Sequence, residues 1–208
     1  MEIFFLGTSG SIPTLKRNLP SLVLRREGKL YLFDCGEAAQ IQIIRSGLSL
    51  AKFHSVFISH LHGDHVTGLP GFLMLLTQAD RVNPLYIYGP KGITDFINSI
   101  KRTLNFYNNY EIIIEEIDEE KKILLEKDFY IETALANHNV FTLAYQFQEY
   151  PRPGKFFVDK AIALGIQPGP IYKELQSGKS VTINGKRIEP REVSGPPRPG
   201  RKFVYAVD

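Results

Sequence analysis

The stretch that decides the fold reads Ser55-Val56-Phe57-Ile58-Ser59-His60-Leu61-His62-Gly63-Asp64-His65. Its apolar first half predicts a buried strand, and its second half predicts a loop directly after that strand. His60 and His62 are two positions apart, so an extended backbone points both imidazoles to one side. Gly63 permits a sharp turn, after which Asp64 and His65 can face the same space. Imidazole nitrogens and carboxylate oxygens suit Zn²⁺ or a similar divalent ion, so the loop predicts a metal site with room for two adjacent cations.

The alternative is a surface loop that happens to be rich in histidine. The chain has only 5 histidines in 208 residues. Three of them lie with an aspartate within six positions, and this concentration favours a metal-binding loop over a chance one. His138 follows a strand-like run and becomes a candidate because the loop needs further ligands. Asp208 follows an apolar run and could bridge two cations, although its position alone indicates no more than a C-terminal aspartate. His54 is out of phase with the loop, and we predict a structural role for it.

Strands and helices alternate around this loop, and several hairpins interrupt them. A Gly-bearing turn at 26–29 joins one hairpin, Asn184-Gly185 joins another, and a charged turn is expected at 119–122. The predicted strands are 2–6, 21–25, 30–34, 55–59, 85–88, 111–114, 130–136, 141–147, 181–183, 187–188 and 203–207, and the predicted helices are 37–45, 68–79 and 93–104. The pattern predicts a layered α/β fold.

Composition excludes several classes of protein. Hydrophobic residues make up 43% and charged residues 23%, which argues against a disordered, collagen-like or coiled-coil chain. No apolar run reaches the roughly 18 residues of a membrane span, and no basic segment precedes the first apolar run as in a signal peptide. The single cysteine, Cys35, rules out an internal disulfide and fits a reducing compartment. With no paired base, we expect its thiol to be buried and inert.

Charge is distributed unevenly along the chain. Residues 151–208 hold 11 Lys+Arg against 5 Asp+Glu, whereas residues 1–150 hold 14 against 17. The later stretch also carries 8 of the 13 prolines and 7 of the 17 glycines. Two interpretations remain open, a solvated linker or an arm that touches a polyanion. Composition alone favours the linker.

Two further features lie near the predicted site. Asp34 ends a strand and precedes a helix, so it could orient the metal loop through hydrogen bonds or merely cap the helix. These two interpretations weigh about equally. The loop at 7–13 contains glycine but lacks the spacing of a P-loop. Its backbone amides could still line a phosphate-binding cleft.

The histidine loop, with Asp34-Cys35-Gly36-Glu37 upstream, resembles the metallo-β-lactamase superfamily. The resemblance is closest to the ribonuclease Z family, whose endonucleases trim the 3′ end of tRNA precursors. The matching segments run through essentially the whole chain in the family's order: 6–8, 12–14, 33–37, 59–65, 68–71, 88–92, 168–170 and 195–197. The resemblance implies an α/β fold, the metallo-β-lactamase αββα sandwich, with a protruding basic arm.

The resemblance also implies a role for each matching residue. His60, His62 and His138 would hold one zinc ion, Asp64 and His65 would hold the second, and Asp208 would bridge both. Asp64 would act as general base or orient the attacking water. The basic arm would grip tRNA, which reverses the preference from composition. Its candidate RNA contacts are Lys155, Lys160, Gly169, Pro170, Lys173 and Lys179.

By this resemblance the chain divides into three parts. Residues 1–150 would be the first part of the metallo-β-lactamase core, 151–190 the tRNA-binding arm, and 191–208 the return to the core. Chains of the family continue past the position of Asp208, and no histidine follows His138. We therefore expect a chain that is truncated relative to the family and lacks the last histidine ligand of the second metal.

The implied function is zinc-dependent removal of the 3′ trailer from precursor tRNA by two-metal hydrolysis, leaving a 3′-hydroxyl on the tRNA. The implied setting is the cytoplasm, as a homodimer and without a membrane. Two alternatives remain. One is another hydrolase or phosphodiesterase of the same fold, because a fold hosts many functions. The other is an RNA-binding fragment without activity, because ligands are missing.

Overall fold

The structure is a computed structural model, and it describes residues 1–207. The helices are α1 Ala39–Arg45, α2 Gly63–Val66, α3 Leu69–Gln78, α4 Ile93–Thr103, α5 Val158–Ala163, α6 Pro170–Gln176 and α7 Pro190–Val193, with a 3₁₀ turn at Leu50–Lys52. The strands are β1 Glu2–Gly7, β2 Ser21–Arg26, β3 Lys29–Phe33, β4 Phe53–Phe57, β5 Leu85–Pro90, β6 Ile112–Ile117, β7 Lys122–Leu125, β8 Phe129–Ala136, β9 Thr142–Glu149, β10 Val181–Ile183, β11 Lys186–Ile188 and β12 Lys202–Tyr205. Within these residues no helix has the length and apolar character needed to cross a membrane.

The first sheet has six strands in the order β1-β2-β3-β4-β5-β6, which is also their order along the chain. The pairs β1–β2 and β2–β3 are antiparallel, and the pairs from β3 to β6 are parallel. Parallel neighbours need a crossover, which α1, α3 and α4 supply in turn. Because parallel strands end at one edge of a sheet, the residues after β3 and β4 come together there.

The core explains why β3 is apolar without alternation after Lys29. Strands of a parallel sheet are covered on both faces, and residues 30–33 of β3 are fully buried. On one face, α1 and α3 contribute Ile43 and Phe72 to the main apolar cluster. On the other face, Phe33 stacks on Phe57 with ring centroids 4.9 Å apart. Tyr145 of β9 contacts the Phe57 ring from the second sheet, at 5.3 Å.

The second sheet has the order β12-β9-β8-β7. The chain divides into two compact units, and the divisions fall inside strands. The first unit comprises residues 1–124, 131–146 and 204–208, and the second comprises 125–130 and 147–203. The three-part division expected from the sequence has its boundaries at 150 and 190, which differ from the boundaries of these two units. That division stays a prediction.

The second unit has its own small core and an ion pair between a buried carboxylate and a partly exposed guanidinium. The core contains Ala161, Ile166, Leu175, Ile188 and Val193, from α5, the residues after it, α6, β11 and α7. Glu149 is 2% exposed. Its carboxylate accepts hydrogen bonds from Arg201 Nη2 at 2.7 Å and Nε at 3.0 Å. The Arg201 backbone amide donates to the same carboxylate at 3.1 Å. This Pro/Gly-rich segment is therefore folded.

Most predicted elements are present, with end shifts of one to three residues, and four differences matter. β4 ends at Phe57, so Ile58 and Ser59 lie outside the strand. Residues 63–65 of the loop expected at 60–65 lie in α2, since the amides of His65 and Thr67 donate helical hydrogen bonds to the carbonyls of His62 and Gly63. Lys122, expected in a charged turn, begins β7. The helices α5, α6 and α7 were missed, since short helices in Pro/Gly-rich sequence lack the apolar periodicity that reveals longer ones.

Candidate metal centre

Three imidazoles converge beyond the carboxyl end of β4. The Nδ1 atom of His62 lies 3.0 Å from Nε2 of His60 and 3.2 Å from Nε2 of His138. One ring nitrogen from each of the three lies within 4.8 Å of the others. His60 and His62 come from the segment after β4, and His138 from the turn after β8. The two sheets thus supply this histidine cluster together.

The donor set fits a divalent metal ion. Zinc binds imidazole nitrogen at about 2.0–2.1 Å, which places two ligand nitrogens of a tetrahedral site roughly 3.3 Å apart. The observed separations of 3.0 and 3.2 Å are close to that value. His60 is fully buried while His62 and His138 are half-buried, so one side of the cluster remains accessible. Three neutral nitrogens suit zinc and other first-row divalent ions alike.

Asp64 and His65 form a second pair of donors beside the cluster. His65 Nε2 lies 3.5 Å from Asp64 Oδ2, and the His65 and His60 rings are 4.1 Å apart between centroids. Both residues lie on α2, the short helix that begins directly after His62. The arrangement therefore presents a carboxylate and an imidazole next to the three histidines. Asp208, the expected bridging ligand, lies outside the described residues.

The glycine-containing loop after β1 acts on Asp64. The Ser11 amide donates a 2.8 Å hydrogen bond to Asp64 Oδ2. Burial alone would raise the pKa of the Asp64 carboxyl. The hydrogen bond from the Ser11 amide and the charge of the neighbouring His65 together outweigh burial, so the pKa lies below its ordinary value. Asp64 is therefore ionised at neutral pH. The sequence allows the amides of this loop to line a phosphate-binding cleft, which stays a prediction, and the amide of Ser11 donates to a carboxylate.

Asp34 lies at the centre of a buried hydrogen-bond network. Its Oδ2 atom is 2.6 Å from His65 Nδ1 and accepts bonds from Ser59 Oγ at 2.7 Å and the Tyr205 hydroxyl at 2.9 Å. Its Oδ1 atom accepts the Ser59 amide at 2.7 Å. A carboxylate on Nδ1 fixes the ring and directs Nε2 toward the site. Of the two interpretations, this geometry favours orientation of the histidine loop, because α1 begins without a side-chain cap.

Close backbone contact holds Asp34 beneath the histidine loop. The Gly68 amide donates to the Cys35 carbonyl at 2.8 Å, and the Cys35 amide donates to the His65 carbonyl at 2.8 Å. A Cβ atom at Gly68 would lie 1.9 Å from the Gly36 carbonyl oxygen. At Gly63 a Cβ would meet only the Thr67 methyl, at 3.6 Å. Packing therefore requires glycine at 68, whereas it leaves room for a Cβ atom at 63.

Sequence reasoning missed Ser59, Tyr205 and Ser11 as residues that shape the site. Ser59 directly precedes the first histidine, and this adjacency is the only signal that the sequence offers. His54, predicted to be structural, stacks on Tyr86 with centroids 5.2 Å apart. Cys35 is fully buried, and burial raises the pKa of its thiol well above the ordinary range.

The predicted RNA contacts all lie in the second unit and are all exposed. The Lys160 ammonium lies 4.7 Å from the centroid of the Phe157 ring. Gly169 precedes α6, and Pro170 begins it. Proline at a first helical position loses no backbone bond. Lys173 is on α6, and Lys179 follows it.

Comparison with known proteins identifies the family. The family model described as "Anti-Pycsar protein Apyc1" matches residues 1–132, so this part of the chain belongs to that domain family. Ribonuclease Z of Treponema denticola is 43% identical over the whole chain, which covers 68% of that protein. Ribonuclease Z of Nitrosopumilus maritimus is also 43% identical, with 69% covered. The chain thus spans about two thirds of the length of these curated relatives.

Solved structures give the fold. Human tRNase Z, short form, is similar with a TM-score of 0.67 and 29% identity over 72% of this chain and 65% of that one. The metallo-β-lactamase fold protein YhfI of Bacillus subtilis has a TM-score of 0.54 at 20% identity over 70% of this chain and 56% of its own. With relatives of more than 40% identity over its whole length, the chain has the metallo-β-lactamase fold and belongs to the ribonuclease Z family.

Proposed function

We propose that this chain carries the metal centre and RNA-gripping segment of a tRNA 3′-processing endoribonuclease. The single observation that carries the proposal is the convergence of His60, His62 and His138 next to Asp64 and His65. Membership of the ribonuclease Z family supports hydrolysis of a phosphodiester bond in RNA. A tRNA precursor with a 3′ trailer is the proposed substrate.

The metal assignment follows from the two groups of donors. His60, His62 and His138 would hold one zinc ion, and Asp64 with His65 would hold a second. Asp208 is the proposed bridging ligand. When bound, a pair of divalent cations about 3.5–4 Å apart lowers the pKa of water and offsets charge on the phosphate oxygens. The 4.1 Å between the His60 and His65 rings supports two sites this close.

Other roles in the proposed reaction, which are proton acceptance, orientation of a metal ligand and RNA binding, would belong to different residues of the chain. Asp64, ionised and held by the Ser11 amide, would accept the proton of the attacking water or orient it. His65 would keep its ring orientation through Asp34. Attack on phosphorus would then release a tRNA with a 3′-hydroxyl and a trailer with a 5′-phosphate. Four exposed lysines, Lys155, Lys160, Lys173 and Lys179, would contact backbone phosphates of the folded RNA together with Gly169 and Pro170.

Assembly and location are part of the proposal. Phe5 on β1 and Ile41 and Ile44 on α1 are exposed apolar side chains on neighbouring elements. Exposed apolar groups on adjacent elements support a homodimer. The single buried thiol at Cys35 supports the cytoplasm as location. Light scattering on the purified protein, compared with an Ile44→Glu variant, tests the dimer.

The decisive experiment measures metal content and cleavage on the same purified sample. We expect two zinc ions per protein chain and a cut at the 3′ junction of a tRNA precursor. His138→Ala should lose one metal ion and nearly all cleavage. Asn139→Ala, an exposed neighbour, should keep both. Metal binding with cleavage of small phosphodiesters alone would instead indicate another hydrolase of this fold, and RNA binding without cleavage would indicate a non-catalytic role.

A further inference from the structure

A second pocket lies at the opposite end of the parallel strands from the histidine cluster. It has a volume of about 570 Å³ and includes Lys29, Phe53 and Tyr86 in its lining. These residues stand at or next to the starts of β3, β4 and β5, whereas the histidine loop follows the end of β4. Parallel strands begin at one edge of a sheet and end at the other. The pocket is therefore separate from the metal centre.

The wall of this pocket contains a buried guanidinium group that lies 5.5 Å from the centroid of the Tyr110 ring and has no carboxylate partner within residues 1–207. Arg81 is 4% exposed. Its Nη2 donates to the Pro84 carbonyl at 2.6 Å, and its Nη1 lies at 3.5 Å from the Leu50 carbonyl oxygen. Its Nε is buried and makes no hydrogen bond within residues 1–207. A buried charge is costly unless an opposite charge or further hydrogen bonds compensate it.

Other side chains of the pocket add to this positive charge. Lys52 is exposed at the end of the 3₁₀ turn, and Lys29 is half-buried at the start of β3. The single carboxylate in the lining belongs to Glu27, which already accepts a hydrogen bond from Arg26. The lining thus contains three cationic residues and one acidic residue, and the acidic residue is bonded to Arg26.

The remaining wall is aromatic. The His54 ring stacks on Tyr86 with an interplanar angle of 20°, and Phe53 adds a further ring to the lining. Binding sites for small molecules have volumes of roughly 300–1,000 Å³ and combine apolar walls with a few placed polar groups. This pocket has both properties, and three of its polar side chains are cationic.

We propose that this pocket binds a small phosphate ester of nucleotide size, with its phosphate on Lys52 and Arg81 and its organic part against Tyr86. Arginine and lysine side chains are the principal phosphate binders of proteins. Lys52 and Arg81 both line the pocket and supply the positive charge that would hold the phosphate. The volume exceeds that of phosphate alone, and the aromatic wall suits a planar ring.

Calorimetric titration with a nucleoside 5′-monophosphate, and separately with inorganic phosphate, tests the proposal on the intact protein. We expect saturable binding of the nucleotide that Lys52→Glu weakens by about tenfold or more, since it replaces an attractive charge by a repulsive one. Equal binding of both probes would support recognition of the phosphate group itself. Tighter binding of the nucleotide would support the aromatic wall as well.

The control is Lys91→Glu, which makes the same change of charge just after β5, at the edge of the sheet where the metal centre lies. A ligand held at the metal centre would respond to Lys91→Glu and not to Lys52→Glu, and that result would overturn the proposal. Failure to saturate at millimolar concentrations of either probe would also overturn it. Arg81→Lys, checked by thermal unfolding for an intact fold, should weaken nucleotide binding in the same direction. RNA cleavage should be the same in Lys52→Glu as in the parent protein.

Discussion

The hydroxyl of Tyr205 donates a hydrogen bond of 2.9 Å to Oδ2 of Asp34, across 171 positions of sequence. The same oxygen lies 2.6 Å from His65 Nδ1. The last described strand therefore helps to orient a histidine of the metal centre, through a carboxylate that lies after β3. Residues with no direct part in metal binding can thus be expected to change metal affinity.

Removal of this hydrogen bond should weaken metal binding. In Tyr205→Phe we expect metal affinity to fall by up to about tenfold, and in Asp34→Asn by roughly 10- to 100-fold, as is usual for partners of ligating histidines. Competition with a chromogenic chelator measures the effect. Tyr110→Phe is the control, since its hydroxyl binds the Leu73 carbonyl in the core. If Tyr110→Phe lowers metal affinity as much as Tyr205→Phe does, the specific role of Tyr205 is refuted.

Two glycines near the histidine loop should respond to alanine in opposite ways. Gly68→Ala should destabilise the protein by about 3 kcal/mol or more, because a Cβ 1.9 Å from the Gly36 carbonyl oxygen forces the backbone apart. Gly63→Ala should be neutral or stabilising by up to about 1 kcal/mol, since alanine is the better helix former at this position of α2. Chemical denaturation measures both. Equal losses of stability would contradict the packing argument.

The buried carboxylate of Glu149 should stabilise the second unit. Glu149→Ala removes the acceptor of three bonds from Arg201, and we expect a loss of about 1–3 kcal/mol, reduced because Arg201 remains partly solvated. Hydrogen exchange of amides in α5 and β11 reports the change. Glu126→Ala, a half-buried glutamate outside this ion pair, is the comparison, and protection unaltered by Glu149→Ala would contradict the role.

Charge reversal in the second unit should weaken RNA binding. Each of Lys155→Glu, Lys173→Glu and Lys179→Glu should raise the dissociation constant for precursor tRNA and lower the slope of log affinity against log salt by about 0.7–0.9. Metal content should not change. Arg102→Glu on α4 is the control with an equal change of charge. If it matches the lysine variants, the effect is one of net charge alone.

The Cys35 thiol should resist alkylation in the folded protein. Burial raises the pKa of this thiol far above neutral pH, so the reactive thiolate is scarce. Mass spectrometry after treatment with iodoacetamide should show an unmodified chain, and modification only after unfolding. Rapid alkylation of folded protein with loss of activity would indicate a reactive cysteine.

The sequence predicted the sheet-forming segments well, because apolar runs and turn residues are local signals. It also singled out His60, His62 and His138, which the structure brings together. Close approach between distant segments leaves no local signal in the sequence. The sequence therefore could not predict that the backbone of Gly36 leaves no room for a side chain at Gly68. It also could not predict the hydrogen bond from Tyr205 to Asp34. The helices α5 to α7 were missed since each has only four to seven residues, too few for a period to emerge.

The agreement between spatial order and chain order in the six-stranded sheet affects how the protein folds. Each of β1 to β6 pairs with its sequence neighbour, so these contacts span less sequence than pairings between distant strands would, and low sequence separation favours early formation. During synthesis, which proceeds from the N-terminus, residues 1–117 can assemble while later segments are still being added. His138 is added with the second sheet, and Tyr205, which orients His65 through Asp34, is added later. The three imidazoles can therefore come together only after the strands of the six-stranded sheet have been synthesised.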